Sequence, residues 1–356
     1  MRSRLGEAAL DPTIWPEIME QISTTLGATG AVLLQSDIRT PDVPRTRSLD
    51  GLARRYFGDG WATRDVRGNK GIPLLARGAP VIIDQDFVTS DQMQRDPFYN
   101  DCLIAEGFEW FAGVGFRAGS ALWILTFQRT HREGAFDPSD KGILAQLSQP
   151  MTEAASLSKA VGRVVLSGIT NALDLVREPA LVLDRMGFVL DANPRAERLF
   201  DDEFRIRERR IYIRDQRASA ALNECLEKLR AIPDVSPVAT APVVVHRYRR
   251  RPVVIRALPI PGAVRSPFLG ARALIILREL GPRPAPDPEL LSTIFGMTHA
   301  ESRLASLIAV GLSPQQAATE LRVSPATVRN QLKAVFAKTG AHRQSELAAL
   351  IASLAF

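Results

Sequence analysis

The chain is poor in the residues that build disulfide frameworks and metal sites. It has only two cysteines, Cys102 and Cys225, and four histidines among 356 residues. Because the cysteines lack the spacing of a metal knuckle, we expect two unpaired thiols in a reducing compartment. We identify no metal ligand set, no cofactor site and no catalytic residue in the sequence.

Long apolar segments are missing as well. The longest hydrophobic run, Ala121 to Phe127, is far shorter than a membrane span, and the amino-terminal residues lack the apolar stretch of a signal peptide. We therefore expect a cytoplasmic protein that has no membrane partner.

What the chain does contain is typical of folded, multidomain proteins. Hydrophobic residues make up 46% of the sequence and charged residues 24%, which is ordinary for globular domains. A length of 356 residues exceeds the usual size of one hydrophobic core, so we expect two or three domains. The formal charge of +6 favours a polyanionic partner, although charge alone is not specific.

Residues 1–150 are predicted to form an α/β domain. A helix is expected around Trp15–Leu26, with strands at Ala31–Gln35 and Pro80–Ile83. Two further strands, Phe111–Phe116 and Ala121–Gln128, are separated by a turn-forming Arg-Ala-Gly-Ser segment, which favours an antiparallel hairpin.

A helical pattern then begins at Asp137 and continues after Pro150, which predicts a connecting helix over residues 151–176. Its apolar stripe leaves two alternatives open. The stripe packs against domains of its own chain, or it pairs with the same helix of a second subunit.

Residues 177–280 are predicted to form an α+β domain. It opens at Pro179 with two short strands around an Asp-Arg-Met-Gly turn, followed by a helix through Leu199. A further helix is expected at Ala218–Arg230. Four more strands are expected at Ile211–Ile213, Val243–Tyr248, Val253–Leu258 and Ala273–Leu277. The basic run His246–Arg251 lies at an expected hairpin turn, where a solvated surface is the commoner explanation. Residues 281–288 contain four prolines and are predicted to be an extended linker.

Residues 289–356 are predicted to be helical and to contain a helix-turn-helix. Two capping boxes, one of Thr298 with Glu301 and one of Ser313 with Gln316, mark the starts of two helices. A third helix starts at Ser324 and Pro325, only a few residues after the second one ends. Such a tight break between helices lets the later helix enter a DNA major groove.

The periodicity of the third helix separates a buried stripe from a basic face. The stripe consists of Val328, Leu332, Val335 and Phe336. It leaves Arg329, Asn330 and Lys333 facing outward, and these residue types can bind the exposed edges of guanine and adenine. We predict that these three residues read DNA bases. Three other residues are candidates for contacts to the DNA backbone: Thr327, Gln316 and Lys338.

Four short motifs in this region resemble the DNA-binding domain of the LuxR/FixJ family: Met297–Glu301, Gly311–Ser313, Thr327–Arg329 and Phe336–Gly340. The resemblance implies an all-α, four-helix domain whose third helix reads DNA and whose last helix often carries a dimer contact. Arg322 departs from the family, which usually has glycine there. Either a left-handed arginine costs ~1 kcal/mol of strain, or the turn is shifted. Gln331 stands where histidine is frequent, so the family's base preference does not transfer.

The preceding regions resemble sensor domains. Leu181–Phe200 resembles the opening of a PAS domain, and residues 1–150 resemble a GAF-type sensor in the order of their elements. The motifs Phe98–Asp101 and Phe127–His131 are similar to those of LuxR-type regulators with unassigned ligands. Ligand pockets are mostly apolar with a few polar anchors. The candidate ligand-binding residues are Trp61, Arg64, Tyr99, Trp110 and Phe111; the alternative is that the aromatic ones are plain core.

These observations predict a sequence-specific DNA-binding transcriptional regulator that responds to a small ligand or a partner. The expected partners are double-stranded DNA, a second copy of the chain, an unidentified small ligand and RNA polymerase. An enzyme would need a nucleophile motif, a Walker loop or a His/Asp cluster, and we find none of these in the sequence. A protein-interaction module whose helix-turn-helix docks a protein remains the alternative, although exposed Arg329, Asn330 and Lys333 favour DNA.

Overall fold

The protein divides into two compact units, Met1–Glu279 and Leu280–Phe356. The computed structural model describes residues 2–37, 40–230, 241–260, 262–281 and 285–354. Within these ranges, no helix has both the length and the apolar character needed to cross a membrane. The first unit mixes helices with several sheets, and the described part of the second unit is helical.

A four-stranded antiparallel sheet organises the first part of unit one. Its strands are β1 (Gly30–Gln35), β2 (Val81–Ile83), β3 (Trp110–Ala118) and β4 (Ala121–Arg129), in the order β1-β4-β3-β2. The predicted hairpin is confirmed, because β3 and β4 pair without interruption from Trp110↔Arg129 to Ala118↔Ala121. Gly119 has φ +66° in the connecting turn, a conformation that costs glycine little.

Hydrophobic cores lie on both faces of this sheet. The helices of this part are α1 (Arg2–Leu10), α2 (Trp15–Thr25), α3 (Asp50–Gly58), α4 (Val66–Ala76) and α5 (Ser90–Arg95). Side chains alternate along β4, so Trp123 and Leu125 join the core formed with α1 and α2, whereas Ile124 joins a cluster with Leu75 of α4. A π-helical turn, Phe98–Leu103, adds its buried residues to a further cluster on that second side.

One long helix, α6 (Pro138–Leu175), connects the two sheets of unit one. Asp137 caps it by accepting hydrogen bonds from the amides of Ser139 and Asp140. The connecting helix was expected to start after Pro150, but the observed helix runs through this buried proline. The reason is that Leu144, Leu147 and Met151 form one apolar face that packs on the core of the first sheet.

The second part of unit one contains a five-stranded sheet and a separate two-stranded ribbon. Its elements in chain order are β5 (Ala180–Asp184), β6 (Val189–Ala192), α7 (Pro194–Leu199), β7 (Phe204–Arg207), β8 (Arg210–Ile213), α8 (Gln216–Arg230), β9 (Val243–Val245), β10 (Val253–Pro259) and β11 (Ala271–Glu279). The five-stranded sheet is antiparallel with the order β6-β5-β11-β10-β9, and β7 pairs with β8. An isolated bridge joins Arg210 of β8 to Phe188. Leu222 and Cys225 of α8 pack in the core of this part.

The basic run at the β9–β10 turn is only partly a solvated surface. His246 and Tyr248 are exposed as expected, but Arg247 is buried. Its guanidinium group forms ion pairs with Asp201 and Glu279. The surface prediction was therefore wrong for Arg247, because two carboxylates distant in sequence compensate its charge inside the fold.

The segment that precedes β11 joins the two parts of unit one. The ring of Phe268 lies in the first part's core, with centroids 5.5 Å from Trp15 and 4.9 Å from Trp123. Nearby, Arg272 Nε is 2.5 Å from Asp42 Oδ2, and both side chains are buried. Burial alone would raise the pKa of Asp42, but the neighbouring Arg272 and Arg185 outweigh it and hold that pKa below its usual value.

The described part of unit two has five helices: α9 (Pro288–Phe295), α10 (His299–Ala309), α11 (Pro314–Leu321), α12 (Pro325–Thr339) and α13 (Gln344–Ser353). The four predicted helices are present, and α9 is an addition to them. Both predicted capping boxes form, at Thr298 and at Ser313. Residues 282–284 of the predicted linker lie outside the described residues, and its last residue, Pro288, already belongs to α9.

Candidate nucleic-acid interface and ligand cavity

The break between α11 and α12 is short and sharply defined. Helix α11 ends at Leu321, Arg322 adopts φ +55° and ψ 44°, and α12 begins at Pro325. Ser324 caps α12 by accepting a hydrogen bond from the amide of Thr327 at 3.0 Å. The local sequence dictates this geometry, because the cap fixes the start of α12 and the left-handed residue ends α11.

The three residues predicted to read bases lie together on the exposed side of α12. Arg329, Asn330 and Lys333 are all exposed. On the opposite side of the helix, Val328, Leu332 and Val335, spaced three or four residues apart, are buried in the core of unit two. Because Lys333 is one helical turn after Arg329, the three polar side chains share one face. This face carries two cations and one amide, which are suitable donors for base edges and phosphates.

The residues predicted to contact the DNA backbone have different environments. Thr327 and Gln316 are exposed at the starts of α12 and α11. Gln316 completes a capping box, since its side-chain oxygen accepts a hydrogen bond from the amide of Ser313 at 2.9 Å. Its amide nitrogen is the remaining donor group of the side chain.

Lys338 forms hydrogen bonds to other residues of unit two. Its ammonium group donates to Glu301 Oε2 at 2.7 Å and to the carbonyl oxygen of Gly296 at 2.8 Å. The hydrogen bond from Lys338 is the largest influence that holds the pKa of Glu301 below its usual value. Lys338 thus connects α12 to the start of α10. It is also exposed, and its contact to the DNA backbone stays a prediction.

A second candidate site is a cavity on the α3 and α4 side of the first sheet. Its volume is about 90 Å³, measured as the space open to the centres of water-sized spheres. The wall is mainly apolar, with residues from β1, α3, α4 and the strands β2 to β4, such as Leu52, Tyr56, Ile72 and Phe111. By the same measure a single water needs ~10–15 Å³, so the cavity has room for a small organic molecule.

Arg67 and Gln128 belong to the wall of this cavity, and Arg67 is one half of a buried ion pair with Asp84. Arg67 donates through Nε to Asp84 Oδ1 at 2.8 Å and through Nη2 to Asp84 Oδ2 at 3.2 Å. Its Nη1 donates to Gln128 Oε1 at 2.9 Å. The hydroxyl of Tyr99 donates to the same carboxylate, and burial raises the pKa of Tyr99 so that it keeps its proton. This network holds Arg67 in a fixed orientation at the wall.

The structure brings one of the five predicted ligand-binding residues to the cavity. Phe111 belongs to the wall. Trp61 and Tyr99 are buried in the hydrophobic cluster that contains Phe98, and the partly buried Trp110 packs against that cluster. Arg64 is exposed, with its guanidinium 4.0 Å from the centroid of the Trp61 ring. The four residues other than Phe111 therefore support the cavity region rather than line it.

Two polar residues of the wall, Arg67 and Gln128, escaped the sequence analysis. Arg67 and Gln128 lie 61 positions apart in the chain. Nothing in the sequence near Arg67 indicates that Asp84 compensates its charge. The one local signal is the Val-Ile-Ile-Asp sequence at the end of β2, in which a carboxylate directly follows a buried strand.

Comparisons with known proteins give only remote likenesses. No protein-family model and no curated protein sequence matches the chain. Among solved structures, a phage VqmA–DPO complex is 16% identical to this chain and has a TM-score of 0.22. The match covers 53% of this chain and 88% of the chain in that complex. The Vibrio cholerae VqmA dimer, described as a LuxR-type receptor, is 14% identical over 50% of this chain and 82% of its own, with a TM-score of 0.21. The E. coli DhaR(N)–DhaL complex is 12% identical over 78% of this chain and 86% of its own, with a TM-score of 0.26. Likenesses at this level carry no further argument about fold or function.

Proposed function

We propose that the protein is a transcriptional regulator that binds specific double-stranded DNA through α12. The observation that carries this proposal is the exposed trio of Arg329, Asn330 and Lys333 on the helix that follows a capped, three-residue break. Helices placed in this way enter the major groove, and Arg, Asn and Lys are the side chains best suited to purine edges. A docking surface for an apolar protein partner would not need these three groups exposed.

The first test is the selection of genomic DNA fragments by the purified full-length protein. The comparison variant is Arg329→Ala/Lys333→Ala, and a matched control, Lys70→Ala/Arg95→Ala, removes one lysine and one arginine from exposed positions of unit one. We expect the wild type and the control to enrich a common, two-fold symmetric site that the α12 variant loses. A bidentate contact contributes ~1–3 kcal/mol to base discrimination. Enrichment of the same site by all three proteins would contradict the proposal.

The regulator acts as a dimer that pairs through the outer face of α6. On that face, Val164 is 74% exposed and Leu175 is 85% exposed. Together with other residues they follow the heptad spacing of a two-stranded coiled coil: Leu157, Val161, Val164, Gly168, Asn171 and Leu175. We refer to these six residues as the α6 seam. No seam residue is ionisable, so a second copy brings no like charge into the seam.

The first part of unit one is a GAF-like sensor, and the second part is a PAS-like domain. The cavity beside Arg67 takes a small, mostly apolar ligand, and its filling changes the freedom of the paired DNA-binding units. The regulator works in the cytoplasm, where RNA polymerase is its further partner, and it performs no catalysis.

A cavity-filling variant tests the sensor role. Ala53 belongs to the cavity wall, so we expect Ala53→Leu to abolish any change that cell extract produces in the protein's melting temperature or DNA affinity. A leucine at the exposed Ala76 is the control. A response that survives in Ala53→Leu would place the ligand elsewhere.

A further inference from the structure

The β7–β8 ribbon separates its apolar residues from its arginines. Four cross-strand pairs form the ribbon: Phe204↔Ile213, Arg205↔Tyr212, Ile206↔Ile211 and Arg207↔Arg210. Because side chains alternate along a strand, the first and third pairs share one face and the second and fourth share the other. Phe204 and Ile213 are buried, whereas all three arginines of the pairs are exposed. We refer to Arg205, Arg207, Arg210 and Tyr212 as the arginine face.

The positive charge of this segment is concentrated. Residues 204–217 contain six arginines and two acidic residues, a formal charge of +4. The predicted DNA-binding region, residues 289–356, contains six cations and four acidic residues, a formal charge of +2. A charge of that size is modest for a protein that must neutralise several phosphates. The ribbon itself, residues 204–213, contains four arginines and one glutamate, a formal charge of +3.

Carboxylates of the protein compensate only part of this charge, among them Glu203, which lies 3.6 Å from Arg214. Arg205 is 3.6 Å from Asp202, and Arg207 is 3.7 Å from its neighbour Glu208, in pairs that are largely exposed. Exposed pairs of this kind contribute little to stability. Among the described residues, no carboxylate oxygen lies within ion-pair distance of Arg209 or Arg210. Their guanidinium groups instead lie 5.7 Å and 4.1 Å from the centroid of the Phe188 ring, which helps to fix their orientation.

Two features of the ribbon oppose its own stability. Arg207 and Arg210 are direct cross-strand partners, and like charges in that position repel each other. The turn residues Glu208 and Arg209 have φ values of +51° and +61°, in a two-residue turn that favours Asn and Gly. Strained, charged positions persist where a function requires them. A polyanion bound to the arginine face would relieve the repulsion.

We propose that the arginine face is a second DNA contact, which binds backbone phosphates outside the bases that α12 reads. This inference rests on the proposed function. A two-stranded ribbon has the dimensions that a DNA groove admits, and guanidinium groups match phosphate oxygens with two parallel hydrogen bonds. Contacts to phosphate add affinity without base preference. The ribbon thereby supplies the electrostatic attraction that the weakly charged unit two lacks.

The test measures how salt weakens the binding of full-length protein to a mixed-sequence duplex of about 60 base pairs. Fluorescence anisotropy compares the wild type, Arg207→Gln/Arg210→Gln and a control, Arg95→Gln/Arg132→Gln, which removes two exposed arginines from the first part of unit one. Each phosphate contact contributes about 0.9 to the slope of log affinity against log salt. We therefore expect the ribbon variant to make the slope shallower by about 1.8 per bound protomer, which is about 3.6 for the dimer. The control should keep the wild-type slope.

Further measurements separate the possible outcomes. The ribbon variant should keep or raise the wild-type melting temperature, since it removes a like-charge pair, so weaker binding would not reflect unfolding. Equal slopes for the ribbon variant and the control, while Arg329→Ala/Lys333→Ala still loses its selected site, would overturn the inference and leave the proposed function intact. If the wild type does not bind the duplex at any salt concentration, both the inference and the proposed DNA-binding function are overturned.

Discussion

Arg322 occupies a backbone position that favours glycine. Its φ of +55° brings the β-carbon of an L-residue close to the following carbonyl oxygen, which costs roughly 1–2 kcal/mol. We expect Arg322→Gly to stabilise the helix-turn-helix by about 1 kcal/mol, because the relief of strain exceeds the added chain entropy of glycine. Hydrogen exchange of the α11 and α12 amides in the full-length protein measures this change.

The control for that experiment is Ala337→Gly. Ala337 is an exposed residue within α12, where glycine costs about 1 kcal/mol relative to alanine. Exchange should therefore slow in Arg322→Gly and accelerate in Ala337→Gly. Faster exchange in both variants would show that the arginine side chain stabilises the turn by more than the strain costs.

Single residues also show where sequence reasoning reaches its limit. The left-handed position of Arg322 was predictable through the family resemblance, which implies a residue there that is usually glycine, and the structure confirms it. The burial of Arg67 and Arg247 was not. Each depends on carboxylates that only the fold brings near, Asp84 for the first and Asp201 with Glu279 for the second.

Among whole elements, those with local signals were predictable. Capping residues and turn-forming segments specify the ends of α10, α11 and α12 and the β3–β4 hairpin from neighbours in sequence. The cavity wall combines residues from five or more elements, so no local pattern revealed it. The π-helical turn Phe98–Leu103 had no sequence signal either, because its conformation depends on tertiary packing.

The α6 seam gives a prediction at the scale of one element. Val164→Glu places a carboxylate at the centre of an otherwise uncharged interface, where burial of two unpaired charges is costly. We expect the dissociation constant of the dimer to rise by on the order of 100-fold, which corresponds to roughly 3 kcal/mol. Sedimentation equilibrium of the full-length protein over a concentration series measures it.

The matched control replaces an exposed apolar residue outside the seam. Leu10, at the end of α1, is 62% exposed, and Leu10→Glu should leave the dissociation constant unchanged. A Leu175→Cys variant reports the orientation, since a parallel dimer brings its two copies within disulfide distance and an antiparallel one does not. A monomeric wild type, or equal effects of Val164→Glu and Leu10→Glu, would exclude the seam as the interface.

At the scale of the whole molecule, the two units differ in their hydrophobic cores. Unit one contains the cores of both sheets, and Phe268 from the second part is a member of the first part's core. Unit two has a core of its own. Phe268 and the Asp42–Arg272 ion pair therefore join the first core to the second sheet within unit one.

Calorimetry of the full-length protein tests this organisation. We expect one transition for unit one and a separate, smaller one for unit two, because unfolding enthalpy scales with the number of residues.

Truncation of a buried phenylalanine costs roughly 3–5 kcal/mol. Phe268→Ala should therefore split the unit-one transition in two, because the first and second parts lose their shared aromatic contact. Phe200→Ala removes a ring that contacts Phe204 within the second part, at a centroid distance of 5.2 Å, and should lower the unit-one transition without splitting it. A single, equally shifted transition in both variants would mean that Phe268 is an ordinary core residue and that other contacts couple the two parts.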